Sequence, residues 1–309
     1  MIDKNSKILI TGAHGLVGTA LSEALLLQGY KNIVRIGRKD CDLTDPYSTK
    51  KLFTKISPEY VFHSAARVYG IMGNMNNKGL SFFDNIMINT NVIESSRIVN
   101  VKKITVMGTG AVYPFPPLSL PLKEEEIFYG IPHPSENSYA HAKRAMLAML
   151  DSYKESYGLD WAYIVSCNLF GPNDKFDIEQ GHVIPSLIKK FFYAKKNNQK
   201  VEVWGDGSAQ RDFLYIKDVS TLAIIIMNKV SGAINIGSGT VYKISEIVDI
   251  LASITNMDGR VIWDKSKPNG QDYRAYDLSK IKNLGFTPEY SLSDGLIETW
   301  KWFSQHYNS

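Results

Sequence analysis

The chain has 309 residues, of which 44% are hydrophobic and 21% charged, a balance typical of a globular protein large enough for two lobes. The formal net charge of +4 is scattered without a basic stripe, which favours a small anionic ligand and argues against a nucleic-acid partner. The first residues carry no apolar signal segment and no apolar run reaches membrane-spanning length, so we expect a cytoplasmic protein without a membrane partner.

Short apolar strands alternate with helices through the first half of the chain. A strand at 7–10 leads into a helix that ends at Gly29. Further strands are predicted at 32–36, 60–63, 103–107 and 161–166, and further helices at 46–56, 82–99 and 138–157. Repeated alternation of this kind predicts a parallel sheet covered by helices on both faces, the doubly wound α/β (Rossmann) class.

The pattern changes after Asn168, where segments become shorter and Gly and Pro more frequent. Residues from about 169 to 212 are expected to form a lobe at the carboxyl edge of the sheet, where such folds bind ligands. We therefore predict a dinucleotide-binding domain of residues 1–168 plus about 213–238. A smaller substrate-binding lobe would comprise residues about 169–212 plus 239–309.

A glycine pattern, Gly12-x-x-Gly15-x-x-Gly18, lies between the first strand and the first helix. Glycines there let the backbone turn tightly and approach a pyrophosphate that rests on the helix amino terminus. Its position in a βαβ unit predicts a dinucleotide site. The loop residues expected to contact the cofactor are Gly12, Gly15, Leu16, Val17 and Gly18.

The end of the second strand selects between NAD and NADP, because an acid binds the ribose hydroxyl and an arginine accepts the extra phosphate. Here the strand ends in Arg35-Ile36-Gly37-Arg38. We expect Arg38, helped by Arg35 or His14, to meet the 2′-phosphate, although a solvated basic turn is the alternative. NADP(H) is therefore the expected cofactor. Further contacts are expected from Asp42 and Leu43 at the adenine edge and from Ala65 and Ala66 beyond the strand at 60–63.

The chemical signal is Tyr139-x-x-x-Lys143 on a predicted helix. Residues four apart share a helix face, and a nearby ammonium is expected to lower the tyrosine pKa, as suits a proton donor to a carbonyl. Thr109, at the end of the strand at 103–107, is the hydroxyl expected to hydrogen-bond the same carbonyl. The two cysteines, Cys41 and Cys167, are expected to be reduced thiols, and no metal site is expected.

These features together resemble the extended short-chain dehydrogenase/reductase family, and within it the GDP-L-fucose synthase branch of GDP-4-keto-6-deoxy-mannose epimerase-reductases. The likeness covers nearly the whole chain. Besides the glycine loop, it is carried by segments 65–71, 112–114, 137–140, 168–174, 181–185, 203–207, 211–214 and 267–270.

The resemblance implies that Tyr139 is the proton donor and that Lys143 binds the nicotinamide ribose. Thr109 stands at the position of the family's catalytic serine, and His182 at the position of its epimerisation acid. Hydride would pass from NADPH to the C4 carbonyl of a GDP-sugar destined for surface polysaccharide. The implied further cofactor contacts are Asn168, Leu169 and His182, and the implied substrate contacts are Thr109, Asn168, Lys190, Trp204 and Arg211. Family members dimerise through two helices, here 82–100 and 138–157, so a homodimer is expected.

Two departures from the family pattern change the expected reaction. The family's epimerisation base is a cysteine two residues after the catalytic serine, where this chain has Ala111. Alanine cannot exchange a proton, so epimerisation at C3 and C5 by the usual route is not expected. The family's substrate-binding arginine is Lys190 here, which keeps the charge but loses the two-pronged grip on a phosphate. We therefore expect a dedicated C4 reductase of a GDP-linked 4-keto hexose or heptose.

Four alternatives are weaker. The first is the complete bifunctional 3,5-epimerase/4-reductase, in which another group replaces the thiol. A nucleotide-sugar 4,6-dehydratase would carry an acid directly after Thr109, where this chain has Gly110 and Ala111. A nucleotide-sugar 4-epimerase usually holds NAD, against the basic turn at Arg38. A non-catalytic NADP sensor often loses the Tyr/Lys pair, which this chain keeps.

Overall fold

The computed structural model describes residues 2–267 and 271–307. Three residues of the predicted 267–270 motif, Pro268, Asn269 and Gly270, therefore lie outside the described part. The strands, in chain order, are β1 (Ile8–Thr11), β2 (Ile33–Ile36), β3 (Tyr60–His63), β4 (Lys103–Met107), β5 (Asp160–Ser166), β6 (Asn168–Phe170), β7 (Val201–Trp204), β8 (Gln210–Tyr215), β9 (Gly232–Ile236), β10 (Val241–Lys243), β11 (Val261–Asp264) and β12 (Tyr273–Arg274).

The helices follow the predicted positions closely, and the long one predicted from residue 82 begins four residues earlier. They are α1 (Leu16–Leu27), α2 (Pro46–Ile56), α3 (Ile71–Asn76), α4 (Lys78–Ile98), α5 (Asn137–Tyr157), α6 (Val183–Lys196), α7 (Ile216–Lys229), α8 (Ile244–Thr255), α9 (Ser279–Asn283) and α10 (Leu292–His306). Among residues 2–267 and 271–307, none of these helices combines the length and apolar character needed to cross a membrane.

A six-stranded sheet forms the centre of the first domain, with strand order β2-β1-β3-β4-β5-β9. Every neighbouring pair is parallel. Strand β1 is buried along its whole length because helices flank the sheet, with α1 packed on α7 and α4 packed between α2 and α5. The predicted doubly wound α/β class is confirmed.

The second region is built on smaller sheets. Strand β8 pairs with β6, β10 and β12, and β7 pairs with β11. Residues 213–215, predicted to return to the first domain, belong to β8 and therefore lie in this smaller sheet, whereas α7 and β9 return to the central one. We propose that the six-stranded sheet with its helices is the dinucleotide-binding domain and that the smaller sheets with α6, α8 and α10 form the substrate-binding lobe.

Candidate functional site

A cavity of about 650 Å³ lies at the carboxyl ends of the central strands and extends to the second region. Parallel strands direct their carboxyl ends to one edge, so loops distant in sequence meet there. The cavity is lined by most of the predicted site residues, namely Gly12, Gly15, Leu16, Val17, Gly18, Ala66, Thr109, Tyr139, Lys143, Asn168, Leu169, His182, Lys190, Trp204 and Arg211.

The glycine loop forms one end of this cavity. Gly12 has a φ of +67°, and a Cβ there would lie 2.7 Å from the backbone nitrogen of Ala65. A Cβ on Gly18 would overlap backbone of the same loop, with Ala13 Cα at 2.6 Å. Gly15 is different, because its Cβ would have 3.6 Å to the nearest atom, the carbonyl oxygen of Gly12. Gly12 and Gly18 are thus needed for the loop itself, while Gly15 opens onto the cavity in front of α1, as an approaching pyrophosphate requires.

The predicted phosphate-selecting residues lie beside β2, outside the cavity lining. Arg35 Nη2 donates to the carbonyl oxygen of Ala13 at 3.1 Å and so braces the glycine loop. His14 Nε2 lies 3.9 Å from Asp40 Oδ2. Arg38 is exposed, which leaves its guanidinium accessible to a phosphate.

The residues predicted for the adenine edge have definite partners. Asp42 Oδ1 accepts hydrogen bonds from the backbone nitrogen and hydroxyl of Thr44 at 3.0 and 2.8 Å, and these bonds lower the pKa of the carboxyl. Leu43 is buried, and its carbonyl oxygen accepts from Asn91 Nδ2 at 2.9 Å. Ala65 packs against Gly12, as described above. The structure therefore keeps this edge ordered but outside the cavity.

Tyr139 and Lys143 lie one turn apart near the start of α5, with exposures of 8% and 1%. Lys143 Nζ donates to the carbonyl oxygen of Met107 at 2.8 Å and lies 5.8 Å from the centre of the Tyr139 ring. Tyr163 donates its hydroxyl to the carbonyl oxygen of Lys143 at 3.2 Å, which fixes this turn of the helix on β5.

The expectation that Lys143 lowers the pKa of Tyr139 is wrong for this structure. Burial, and next the negative charge of Glu136, raise the pKa of Tyr139 above its ordinary value. Burial lowers the pKa of Lys143 to about 7. The desolvation of both groups outweighs their mutual attraction. The phenol therefore remains protonated, which still suits a proton donor.

Thr109 lies two residues after the end of β4 and caps a short 3-10 turn, Gly110–Val112. Its hydroxyl oxygen accepts from the backbone nitrogen of Ala111 at 3.2 Å, which leaves the hydroxyl proton available to another acceptor. Ala111 is buried in an apolar cluster with Tyr139 and Ala140. The position of the family's cysteine thus holds a packed methyl group.

The opposite end of the cavity is formed by the second region. Arg211 on β8 donates to the carbonyl oxygens of Gln210, at 2.7 Å, and Gln271. Burial, and next the nearby charge of Arg274, lower the pKa of Arg211 to about 10. Lys190 on α6 holds its Nζ 4.4 Å from the ring centre of Trp204, a cation–π geometry. These groups present positive charge beside an aromatic face, which suits a nucleoside diphosphate.

Two titratable groups lie between these ends. His182 precedes α6 and is exposed to the cavity. Asp174 accepts from the backbone nitrogen of Lys175 through Oδ1 at 2.7 Å, whereas its buried Oδ2 has no hydrogen-bond partner among the described residues. Burial raises the pKa of Asp174, although the charge of His182 opposes the shift. Asn168 donates from Nδ2 to the carbonyl oxygen of Asp212 at 3.2 Å.

Several polar residues that were not predicted as site residues line the same cavity, among them Glu136, Asp174, Arg274 and Tyr276. Glu136 is three residues before Tyr139. This spacing places the two residues near each other at the start of a helix, so the sequence could have indicated Glu136. Arg274 and Tyr276 come from a segment about 135 residues further along the chain, and no local pattern connects them with Tyr139.

A sequence profile of the NAD dependent epimerase/dehydratase family matches residues 8–237. The chain is 36% identical over 307 residues to "GDP-L-fucose synthase 1" of Arabidopsis thaliana, covering 98% of this chain and 94% of the relative. A crystal structure of a GDP-6-OMe-4-keto-L-xylo-heptose reductase from C. jejuni matches with a TM-score of 0.93 and 31% identity over 99% of both chains. The GDP-mannoheptose C4 reductase from Campylobacter jejuni with NADP bound matches with a TM-score of 0.88 and 32% identity, over 98% of this chain and 100% of that one.

Proposed function

Because this chain belongs to the NAD dependent epimerase/dehydratase family, we propose that it uses NADPH to reduce the C4 keto group of a GDP-linked 4-keto hexose or heptose. The predictions of an extended short-chain dehydrogenase/reductase and of an NADP(H)-dependent enzyme are confirmed. The observation that carries the finer proposal is the shared cavity, in which Thr109, Tyr139 and Lys143 face the same space as Trp204 and Arg211.

The described residues fit a dinucleotide at the glycine-loop end. Gly15 leaves open space in front of α1, whose first backbone N–H groups can bind a pyrophosphate. We assign the 2′-phosphate to the exposed guanidinium of Arg38, which gives NADPH preference over NADH. Lys143, which lines the cavity, would bind the nicotinamide ribose.

When bound, NADPH supplies the hydride that the substrate C4 receives. Tyr139 holds the proton: its O–H bond breaks as the C4 oxygen gains that proton, and the phenolate recovers one from solvent. Thr109 donates its free hydroxyl proton to the same oxygen in a hydrogen bond and so orients the carbonyl. In its protonated form Lys143 would offset part of the desolvation cost of the phenolate that forms, although burial holds the pKa of Tyr139 above its ordinary value.

We propose reduction without epimerisation because Ala111 is a packed methyl group at the family's base position. Inverting C3 or C5 requires one group to remove a proton from carbon and another to return one on the opposite face. His182 supplies one such group, and neither cysteine lies at the position of the missing thiol. Cys167 is buried, and burial raises the pKa of its thiol.

The test is proton exchange in heavy water. The protein is incubated with oxidised cofactor and a GDP-4-keto sugar, so that reduction is blocked while exchange at carbon is not. We expect no deuterium at C3 or C5 above a control without enzyme, and normal reduction at C4 once NADPH is added. Deuterium at either carbon would contradict the dedicated reductase, and absence of reduction across a panel of GDP-4-keto hexoses and heptoses would contradict the activity itself.

A second candidate, the bifunctional 3,5-epimerase/4-reductase, is favoured by one observation. Asp174 has a buried carboxyl oxygen with no hydrogen-bond partner in the described part of the chain, and the charge of His182, in the same cavity, opposes the rise that burial causes in its pKa. If the heavy-water experiment gives exchange, Asp174→Asn identifies its source. Loss of exchange with reduction retained would assign the missing base to Asp174, whereas unchanged exchange would exclude it.

We further propose that the protein is a cytoplasmic homodimer that associates through α4 and α5. These helices pack against each other, and α4 leaves Leu80, Phe82 and Phe83 between 43% and 59% exposed. Exposed apolar groups of this size, concentrated on one helix, suit a protein interface. Light scattering with Phe83→Glu checks this: we expect the native chain to have a dimer mass and the variant a monomer mass.

A further inference from the structure

A largely buried ion pair joins the substrate-binding lobe to the start of the catalytic helix. Arg274 Nη2 donates to Glu136 Oε2 at 2.9 Å, and the two side chains are 12% and 21% exposed. Arg274 belongs to β12, where it aligns with Arg211 of β8, and its Nε also donates to Gln271 Oε1 at 3.2 Å. Glu136 directly precedes α5, one turn before Tyr139. Low exposure strengthens such a pair, since water screens it weakly.

The same segment contacts the other catalytic loop. Tyr276 follows Arg274 by two residues, and burial raises the pKa of its phenol while the charge of Arg274 opposes that rise. The hydroxyl end of Tyr276 packs on Gly110, where an added Cβ would lie 2.7 Å from the ring carbon Cζ. Gly110 directly follows Thr109. One segment of the substrate-binding lobe therefore touches the backbone that carries Thr109 and the residue that begins the helix of Tyr139.

The charge on Glu136 reaches Tyr139. Burial would raise the pKa of Glu136, but the charge and hydrogen bond of Arg274 hold it below its ordinary value, so the carboxyl stays ionised. Burial alone would lower the pKa of Arg274, but the charge of Glu136 raises it, and the net shift is upward. An anion one turn before Tyr139 opposes loss of the phenol proton. The titratable and charged groups around Tyr139 and Glu136 are Lys143 on α5, Tyr163 on β5, His133, Arg211 on β8, and Arg274 and Tyr276.

We propose that Arg274 and Glu136 are a positioning pair, in which Arg274 fixes the Glu136 carboxylate at the helix start and thereby keeps Tyr139 aligned with Thr109. Neither residue is assigned contact with the reacting atoms. The inference rests on the proposed function, since it concerns the group that protonates the C4 oxygen. It also predicts a consequence that a purely structural ion pair would lack: neutralising Glu136 changes how Tyr139 titrates.

The kinetic test compares Glu136→Gln, Arg274→Gln, the double variant and a matched control. Glu59→Gln is the control, because it removes the carboxylate from the Glu59–Lys102 ion pair at the far edge of the sheet. We expect each single variant to lose about tenfold in kcat and the double variant to lose no more, because the residues act through each other. Multiplied losses of about a hundredfold in the double variant, or an equal loss in the control, would overturn the proposal.

The pH profile provides the readout specific to Tyr139. A phenol that donates a proton must be protonated, so kcat falls at high pH as the phenol ionises. With Glu136→Gln the falling limb should move to lower pH, because the opposing anion is gone. Arg274→Lys keeps the cation beside Glu136. The falling limb of its pH profile should therefore lie closer to that of the native chain than the limb of Arg274→Gln does. An unmoved limb in Glu136→Gln, with the fold verified by circular dichroism, would overturn the inference.

A spectroscopic experiment separates this inference from the proposed reaction. Protein carrying tyrosine labelled with ¹³C at Cζ is titrated by NMR, and the Tyr139 signal is assigned by its loss in Tyr139→Phe. We expect Tyr139 of Glu136→Gln to titrate at lower pH than in the native chain, with no substrate present. A shifted titration without turnover of any GDP-4-keto sugar would refute the proposed reaction alone, while turnover with an unshifted titration would refute the positioning pair alone.

Discussion

The two ends of the cavity differ in the groups that they offer to the ligands we propose for them. At the glycine-loop end the determinants are backbone: Gly12 and Gly18 leave no room for a side chain, and Gly15 leaves space for a phosphate. At the other end the proposed determinants are side chains, namely Arg211 of β8 and the cation–π pair of Lys190 and Trp204. Backbone recognition tolerates almost no substitution at the glycines, whereas side-chain recognition allows one cation to replace another. Tyr139 lines the cavity between the two ends, so its proposed proton transfer requires ligands bound at both.

The largest effect on turnover is expected at Tyr139, between the two ends of the cavity. Tyr139→Phe removes the proton donor and should lower turnover by about 10²–10⁴-fold, the usual contribution of a positioned general acid. NADPH affinity should change by less than about twofold, because the ring still fills its buried site. Stopped-flow loss of NADPH absorbance gives the rate, and calorimetry gives the affinity.

Tyr153→Phe is the matched control for that experiment. Tyr153 lies on the same helix, but its hydroxyl donates to Glu94 at 2.9 Å and does not line the cavity. Its loss should leave turnover unchanged. Near-normal turnover in Tyr139→Phe would show that another group donates the proton.

The next effect distinguishes the glycines from one another. Gly18→Ala places a Cβ against backbone of its own loop and should lower both thermal stability and NADPH affinity, the latter by about 10²-fold, as misplacing a binding loop does. Gly15→Ala has room for its Cβ, so it should keep stability and lose only affinity. Thermal unfolding and calorimetry on both variants measure this difference. Equal destabilisation by the two would contradict backbone shaping by Gly18.

A smaller effect is expected from Arg38, the side chain that we assign to the 2′-phosphate of the cofactor. Arg38→Ala should weaken NADPH binding about tenfold and leave NADH binding unchanged, because only NADPH has the 2′-phosphate. Lys39→Ala removes an adjacent exposed charge and serves as the control for general electrostatic attraction. A loss of equal size for both cofactors, or in both variants, would mean that the basic turn acts only through its net charge.

This contrast also explains what the sequence could predict. The parallel sheet follows from apolar strands in alternation with helices, and the glycine loop follows from spacing within seven residues, so both were accessible locally. The Glu136–Arg274 pair joins residues 138 positions apart, and no pattern within either segment indicates the other. The sheet to which residues 213–215 belong could not be predicted from the sequence for a related reason. Their apolar character suits a buried strand in either sheet, and only the pairing of β8 with β6 and β10 decides between them.

The prediction that Lys143 lowers the pKa of Tyr139 failed for a different physical reason. Spacing correctly placed an ammonium one turn away, and in water that cation would favour the phenolate. Both groups are almost fully buried, however, and desolvation opposes charge on each of them. Burial depth depends on the packing of the whole domain, so the pKa values of these two groups cannot be predicted from a five-residue motif alone.

The smallest effect is expected from Lys190→Arg, which tests whether the substrate end accepts one cation for another. Burial lowers the pKa of Lys190, and its Nζ sits 4.4 Å from the ring centre of Trp204. An arginine would stay charged, stack on the same indole face and grip a diphosphate with two parallel hydrogen bonds. We therefore expect GDP to bind about two- to fivefold more tightly and kcat to remain unchanged, as measured by calorimetry and steady-state kinetics. Lys189→Arg, one residue away, should alter neither quantity. If Lys190→Arg weakened GDP binding, a compact ammonium would be required at this position. The substrate end would then tolerate substitution as poorly as the glycine loop does.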